Sequence, residues 1–172
     1  WSLTGTDAGA FDIDSDGNVT LKASANFEGQ SSYSINVVAT DDGLLTDSKA
    51  VTINVTNVNE APSVTSGASG TVAENAATST VVYTATAIDP DAGDHIAWSL
   101  TGTDAAAFDI DADGNVTLKN SADYEAKSSY SINVVATDDG FLTDSKAVTI
   151  NVTNVNEAPS VSSGATGTVA EN

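Results

Sequence analysis

Val148-Thr149-Ile150-Asn151-Val152-Thr153 alternates β-branched apolar with polar side chains, the pattern of a strand with one face on a core and the other in water. Tyr130-Ser131-Ile132-Asn133-Val134 alternates in the same way, and Val135-Ala136-Thr137 continues it. Working outward, residues 80–88 form a β-branched, Ala-rich run, and 96–100 and 70–74 read as further short strands. Phe108-Asp109-Ile110 and Val116-Thr117-Leu118 flank Asp111-Ala112-Asp113-Gly114-Asn115, a turn-rich hairpin connection. No helical period interrupts these segments. About seven strands within one stretch of this size predict an all-β sandwich, with Trp98 and Phe108 in its core.

The same pattern occurs twice. Trp1-Ser2-Leu3-Thr4-Gly5-Thr6-Asp7 recurs as Trp98-Ser99-Leu100-Thr101-Gly102-Thr103-Asp104, and residues 51–64 recur as 148–161 at the same 97-residue offset. Residues 1–75 and 98–172 differ at ten positions. A period of 97 residues is too long for a solenoid unit and fits one small domain, so the chain reads as part of a tandem array. Asn57-Val58-Asn59-Glu60-Ala61-Pro62 and its copy Asn154-Val155-Asn156-Glu157-Ala158-Pro159 mark the boundaries, because proline stops a strand. On that register 61–157 is one complete repeat, 1–60 is the later part of the repeat before it, and 158–172 opens the next. Residues 158–172 copy the first-strand segment 61–75, so strand addition between molecules is a further expectation.

Charge narrows the function. Five Lys plus Arg stand against 24 Asp plus Glu, a net charge of −19, and such a surface repels nucleic acid and anionic membrane. No apolar run is long enough to span a bilayer, so no membrane insertion is expected. There is no cysteine, which fits a fold stabilised by a full core or a bound metal instead of disulfides. The single histidine, His95, sits beside Asp94 in an acidic loop with no nucleophile pattern around it. Neither a phosphate loop nor a zinc spacing is present, so no enzymatic constellation is recognised. Asp109-x-Asp111-x-Asp113-Gly114 and Asp12-x-Asp14-x-Asp16-Gly17 begin like a calcium loop. They lack the closing Glu and are read as hairpin turns.

The remaining acids fall in an ordered series through the complete repeat. Ala73-Glu74-Asn75 comes first, followed by Asp89-Pro90-Asp91-Ala92-Gly93-Asp94, Phe108-Asp109-Ile110, Asp123-Tyr124-Glu125, Ala136-Thr137-Asp138-Asp139-Gly140 and the linker before Pro159. In this order the chain resembles the cadherin family, and its bacterial cadherin-like members of the RTX-adhesin type most of all. The resemblance implies tandem cadherin-like β-sandwich repeats with an Ig-like Greek key, and Ca²⁺ bound at each repeat junction. At the junction near Pro62 the matching positions are Asn26, Glu28, Asn59, Glu60, Asp89, Asp91 and Asp138. Near Pro159 they are Glu74, Asp123, Glu125, Asn156 and Glu157, while Asp41 corresponds to Asp138 and would face the preceding repeat. The linker Asn59-Glu60-Ala61-Pro62 is one residue shorter than the vertebrate pattern and carries Glu in place of Asp. Asn26 stands where the other copy has Asp123, so weaker calcium binding is expected at the first junction.

The implied role is a secreted or cell-surface bacterial adhesin, its repeats stiffened by calcium into spacers or adhesive modules. Its implied partners are calcium, neighbouring repeats and a cell-surface protein or polysaccharide. A carbohydrate-binding module is the alternative; it needs several aromatics presented outward on one strand, and none of the strands carries such a row.

Overall fold

The computed structural model of the protein describes residues 1–171; Asn172, which closes the expected 158–172 segment, lies outside the described residues. The strands are, in chain order, β1 (Ser2–Thr4), β2 (Phe11–Ile13), β3 (Val19–Leu21), β4 (Ser32–Thr40) and β5 (Thr46–Asn54). They continue as β6 (Ser63–Val64), β7 (Ser69–Ala73), β8 (Val81–Thr84), β9 (Ala87–Ile88), β10 (Ala97–Thr101), β11 (Phe108–Ile110), β12 (Asn115–Leu118), β13 (Ser129–Thr137) and β14 (Thr143–Thr153). The only helical pieces among the described residues are single 3-10 turns at Ala8–Ala10 and Ala105–Ala107. The expected all-β architecture is what forms, and among the described residues no helix is long and apolar enough to cross a membrane.

Two compact units result. One comprises Trp1–Ser63 together with Ile88–Ala97 and Thr137–Asp144; the other comprises Val64–Ala87, Trp98–Ala136 and the chain from Ser145 onward. In the second unit one sheet has the order β10-β13-β14-β7 and the other β11-β12-β8. β7 joins β14 in parallel, with Ile150 opposite Gly70 and Val152 opposite Val72. β6 with β7 and β8 with β9 are interrupted strands, so the nine segments amount to seven strands. The break between β8 and β9 falls inside the run 80–88: the Ala85 amide ends the pairing with β12 by donating to the Gly114 carbonyl, and the Thr86 carbonyl accepts the Thr65 and Ser66 amides instead.

The core follows the alternation. Val148, Ile150 and Val152 of β14, Ile132, Val134 and Ala136 of β13, Val116 and Leu118 of β12, and Val72 and Val82 are all buried. Phe108 is buried edge-on to Tyr130, with ring centroids 5.3 Å apart. Gly70 is required at its position: a Cβ there would collide with the Val82 carbonyl and with Ile150 Cδ1, so only glycine lets β7 and β8 close over the core.

The first unit contains the sheet β1-β4-β5 and the hairpin β2-β3. Its sequence nearly repeats that of the second, yet its burial differs. Leu21 is 42% exposed where Leu118 is 5% exposed. Val37, Ala39, Val51, Ile53 and Val55 are half-buried where Val134, Ala136, Val148, Ile150 and Val152 are buried. The cause is topological: among the described residues no strand plays the part of β7 against β5 or of β8 against β3. Burial of these side chains is thus a property of the completed sandwich, not of the strands that carry them.

Candidate functional site

The acids gather in two places. In the first unit, Glu28, Glu60 and Asp91 bring carboxylate oxygens within 4.8 Å of one another, and Asp89, Asp91 and Asp94 do the same. Asp91 is therefore shared by both groups. The chain Asp89-Pro90-Asp91-Ala92-Gly93-Asp94 folds back on itself because Gly93 adopts a φ of +104°, a conformation that costs glycine nothing. The Asp91 amide donates to Asp89 Oδ1 at 2.9 Å, closing an Asx turn.

Every oxygen of the buried Asp91 is held from the linker. Its Oδ1 accepts from the Asn57 side-chain amide at 2.8 Å, and its Oδ2 accepts from the Glu60 amide at 2.9 Å. These two donors, Glu60 first and then Asn57, keep the Asp91 carboxyl below its ordinary range against the opposing effect of burial. Asp138, also buried, accepts the Leu142 amide on Oδ1 and the Asn59 side-chain amide on Oδ2. Asn26 accepts the Glu28 amide on its own side chain at 3.2 Å. With Phe27, Val55, Val58 and Pro90 it lines a cavity that Glu28 and Glu60 also border.

Repulsion appears in the other acids. Burial, then the charges of Glu28, Asp91 and Asp89, push Glu60 above its ordinary range. Asp94 is raised by burial and by Asp139, Asp89, Asp91 and Asp138. Outside the cluster, Asp139 accepts from the His95 ring and backbone, and both contacts lower its carboxyl.

In the second unit Glu74, Glu125 and Glu157 bring their oxygens within 4.8 Å. Glu74 is buried and fully engaged, with Oε1 accepting the Val155 amide at 2.6 Å and Oε2 the Tyr124 amide at 2.9 Å. Those amides lower its carboxyl. Glu125 is drawn down by its own backbone amide, but burial and the charges of Glu74 and Glu157 raise it on balance. Asn75 donates to Glu157 at 2.6 Å and Asn154 to Glu125 at 2.9 Å.

Three of the residues expected at the junctions stand apart from these groups. Asp123 Oδ1 caps its own turn through the Ala126 amide, Asp41 Oδ1 caps another through the Leu45 amide, and Asn156 is exposed. Sequence reasoning passed over Asp94 as a site residue, and also Asn57, Asn75 and Asn154, the amides that orient the acids. Asp94 was visible as the third acid of the Asp-Pro-Asp-Ala-Gly-Asp loop. The Asp-x-Asp-x-Asp-Gly segments are hairpin turns: Asp111 accepts from Asp113, from the Asn115 backbone and from the Asn115 side chain, and Asp14 repeats the pattern.

The donor set suits a hard divalent cation. All candidate ligands are oxygens, which calcium takes six to eight at a time. One of them, Asp89 Oδ2, is buried with no hydrogen-bond partner. Buried carboxylate oxygens rarely go unpaired, because desolvation is then uncompensated. A cation in front of Asp89, Asp91 and Asp94 would supply that partner and offset the repulsion.

Comparison with known proteins gives the family. The cadherin domain matches residues 68–153. Human protocadherin Fat 4 is 30% identical over 168 residues, covering 91% of this chain and 3% of that protein. Human cadherin-related family member 2 is 33% identical over 185 residues, covering 95% of the chain and 14% of that protein. The chain thus spans a small part of the length of these relatives. Among solved structures, mouse cadherin-23 EC22-24 superposes with a TM-score of 0.70 at 27% identity, over 90% of this chain and 52% of that one. With half of its length matched to the cadherin domain and a fold shared with cadherin repeats, the chain belongs to the cadherin family.

Proposed function

We propose that the protein is a calcium-binding repeat segment of an extracellular adhesion protein, without enzymatic activity. In this reading Glu28, Glu60, Asp89, Asp91 and Asp94 hold Ca²⁺ in the first unit, and Asn59 and Asp138 complete the surroundings. The supporting observation is the buried, unpartnered Asp89 Oδ2 beside two further carboxylates. Glu74, Glu125 and Glu157 form the corresponding half-site of the second unit, open to ligands from a following repeat. Asn26 belongs to the proposed set of the first junction and Asp123 and Asn156 to that of the second, while Asp41, the counterpart of Asp138, faces the preceding repeat.

The ion supplies charge compensation to acids that otherwise repel. Because it binds the folded arrangement and not the unfolded chain, it adds stability by mass action and stiffens the linker around Asn57 to Glu60. Stiff repeats serve as extended spacers or adhesive modules. The parent protein is read as a bacterial surface adhesin of the RTX type, on the resemblance of its acidic series and on the Asn59-Glu60-Ala61-Pro62 linker that departs from the vertebrate pattern. Partners of that adhesin would be neighbouring repeats and a cell-surface protein or polysaccharide.

Calcium titration by calorimetry tests the site. The wild-type chain binds calcium, and Asp91→Asn removes or greatly weakens the first-unit event while leaving the fold, seen by far-UV circular dichroism, all-β. Undiminished binding in Asp91→Asn and Asp89→Asn would reject the assignment.

A further inference from the structure

The turn Asp138-Asp139-Gly140-Phe141-Leu142 after β13 closes on its first residue. The Phe141 amide donates to the Asp138 carbonyl at 3.2 Å, and the Asp138 amide to the Leu142 carbonyl at 3.1 Å. Asp138 Oδ1 is committed to the same turn through the Leu142 amide, so Oδ2 is the atom that receives Asn59. The left-handed residue of this turn is Phe141, whereas the φ of Gly140 lies outside that region. The backbone therefore does not call for glycine at 140. A neighbour does. The three heavy atoms nearest to a Cβ at 140 are Cγ, Oδ1 and Nδ2 of Asn59, all closer than a real Cβ contact allows. Gly70 and Gly114 differ in kind, since the atom nearest to a Cβ at either is a main-chain carbonyl oxygen, of Val82 or Ala85.

We infer that Gly140 is a positioning residue: by carrying no side chain it leaves the space in which the Asn59 amide reaches Asp138 Oδ2, and so it docks the linker 57–60. A side chain at 140 and the Asn59 amide compete for one volume. Rotating the short, exposed Asn59 side chain costs less than moving the backbone of a hydrogen-bonded turn, so Asn59 gives way. The buried Asp138 Oδ2 then loses its protein donor, which is destabilising. At a φ open to every residue, exchanging glycine for alanine otherwise stabilises, because it restricts the unfolded chain. The sign of Gly140→Ala thus depends on what stands at 59. Asn59 adjoins Glu60, whose amide holds Asp91 Oδ2 and whose carboxylate joins Glu28 and Asp91. On the function proposed above, displacing Asn59 therefore also weakens calcium binding; this consequence rests on that reading, whereas the docking of the linker does not.

A double-mutant cycle of Gly140→Ala and Asn59→Gly, on the full chain in excess chelator, tests the docking without any metal. Alone, Gly140→Ala is expected to lower the thermal midpoint. In the Asn59→Gly background, where the space is empty, the same substitution is expected to leave the midpoint unchanged or raise it. Nitrogen-edited NMR supplies a second readout. In Gly140→Ala the Asn59 side-chain amide is expected to lose its slowed exchange with solvent, while the Leu142 amide on the other Asp138 oxygen keeps its own. A general loosening of the turn would release both. Calcium titration is expected to show several-fold weaker binding in Gly140→Ala than in wild type. An equal loss of midpoint in both backgrounds, or an Asn59 amide still protected in Gly140→Ala, would overturn the inference, and unaltered calcium affinity would overturn its extension to the ion. A wild-type chain that binds no calcium would instead reject the proposed function, and the cycle in chelator would still decide the role of Gly140.

Discussion

The side-chain amide of Asn59 donates to Asp138 Oδ2 at 2.9 Å, joining a linker residue to one 79 positions further along the chain. The same carboxylate takes the Leu142 amide on its other oxygen, so Asp138 ties the linker to the turn that follows β13. Asn59→Ala leaves this buried oxygen without its protein donor, at a cost of about 1–3 kcal/mol. Urea unfolding in chelator should show the loss, and it should shrink if a cation or water takes the vacated position.

Asn57 is a positioning residue. It fixes Asp91 Oδ1 and contributes no carboxylate of its own. Removing partners that orient a metal ligand costs roughly 10–100-fold in affinity. Asn57→Ala is therefore predicted to weaken calcium binding by about that factor, as read by calorimetric titration.

Glu60 and Asp91 respond oppositely to pH. Asp91 is depressed below its ordinary 3.8. Its contribution to stability is present above that value and is lost as pH falls through the lowered folded one. Glu60 is raised above its ordinary 4.5. Its contribution is complete below 4.5 and disappears as pH rises through the folded value, so at neutral pH without metal its charge opposes folding. Glu60→Gln is predicted to raise the thermal midpoint in chelator at pH 7, to change it little below pH 4.5, and to lower calcium affinity at pH 7. Melting curves across pH with and without calcium check all three.

Leu21 and Leu118 occupy equivalent repeat positions with unequal burial. Leu118→Ala should cost about 2–5 kcal/mol, the usual range for a core leucine, and Leu21→Ala well under half of that. Guanidinium unfolding of the two variants compares them directly.

Phe141 and Leu44 have positive φ, 68° and 65°, and both are more than 80% exposed. Left-handed backbone costs a bulky residue about 1–2 kcal/mol, and little apolar burial is at stake. Phe141→Gly is predicted to stabilise by up to about 1 kcal/mol after the entropy of glycine is counted. Thermal unfolding in chelator measures it.

Strand identity was legible because burial in a sandwich alternates: Val148, Ile150 and Val152 could be assigned inward from period two alone. The linker acids and the Asp-Pro-Asp loop were legible from their order. The full length of β14 was not, since Thr143-Asp144-Ser145-Lys146 carries no apolar alternation and is held by pairing. Nor was the part played by Asp123, because a local turn capped by its own side chain and a shared acidic group look alike in sequence. Asp94 enters through the Gly93 backbone conformation, and Asn57 and Asn59 diverge only because the linker delivers them to different carboxylates.

In the proposed function, folded stability is coupled to a cation among Glu28, Glu60, Asp89, Asp91 and Asp94. Thermal unfolding in millimolar calcium and in excess chelator, at equal ionic strength, tests it most directly. A midpoint markedly higher in calcium, with most of the rise abolished by Asp91→Asn, is the predicted result; coincident midpoints in the two buffers would contradict it.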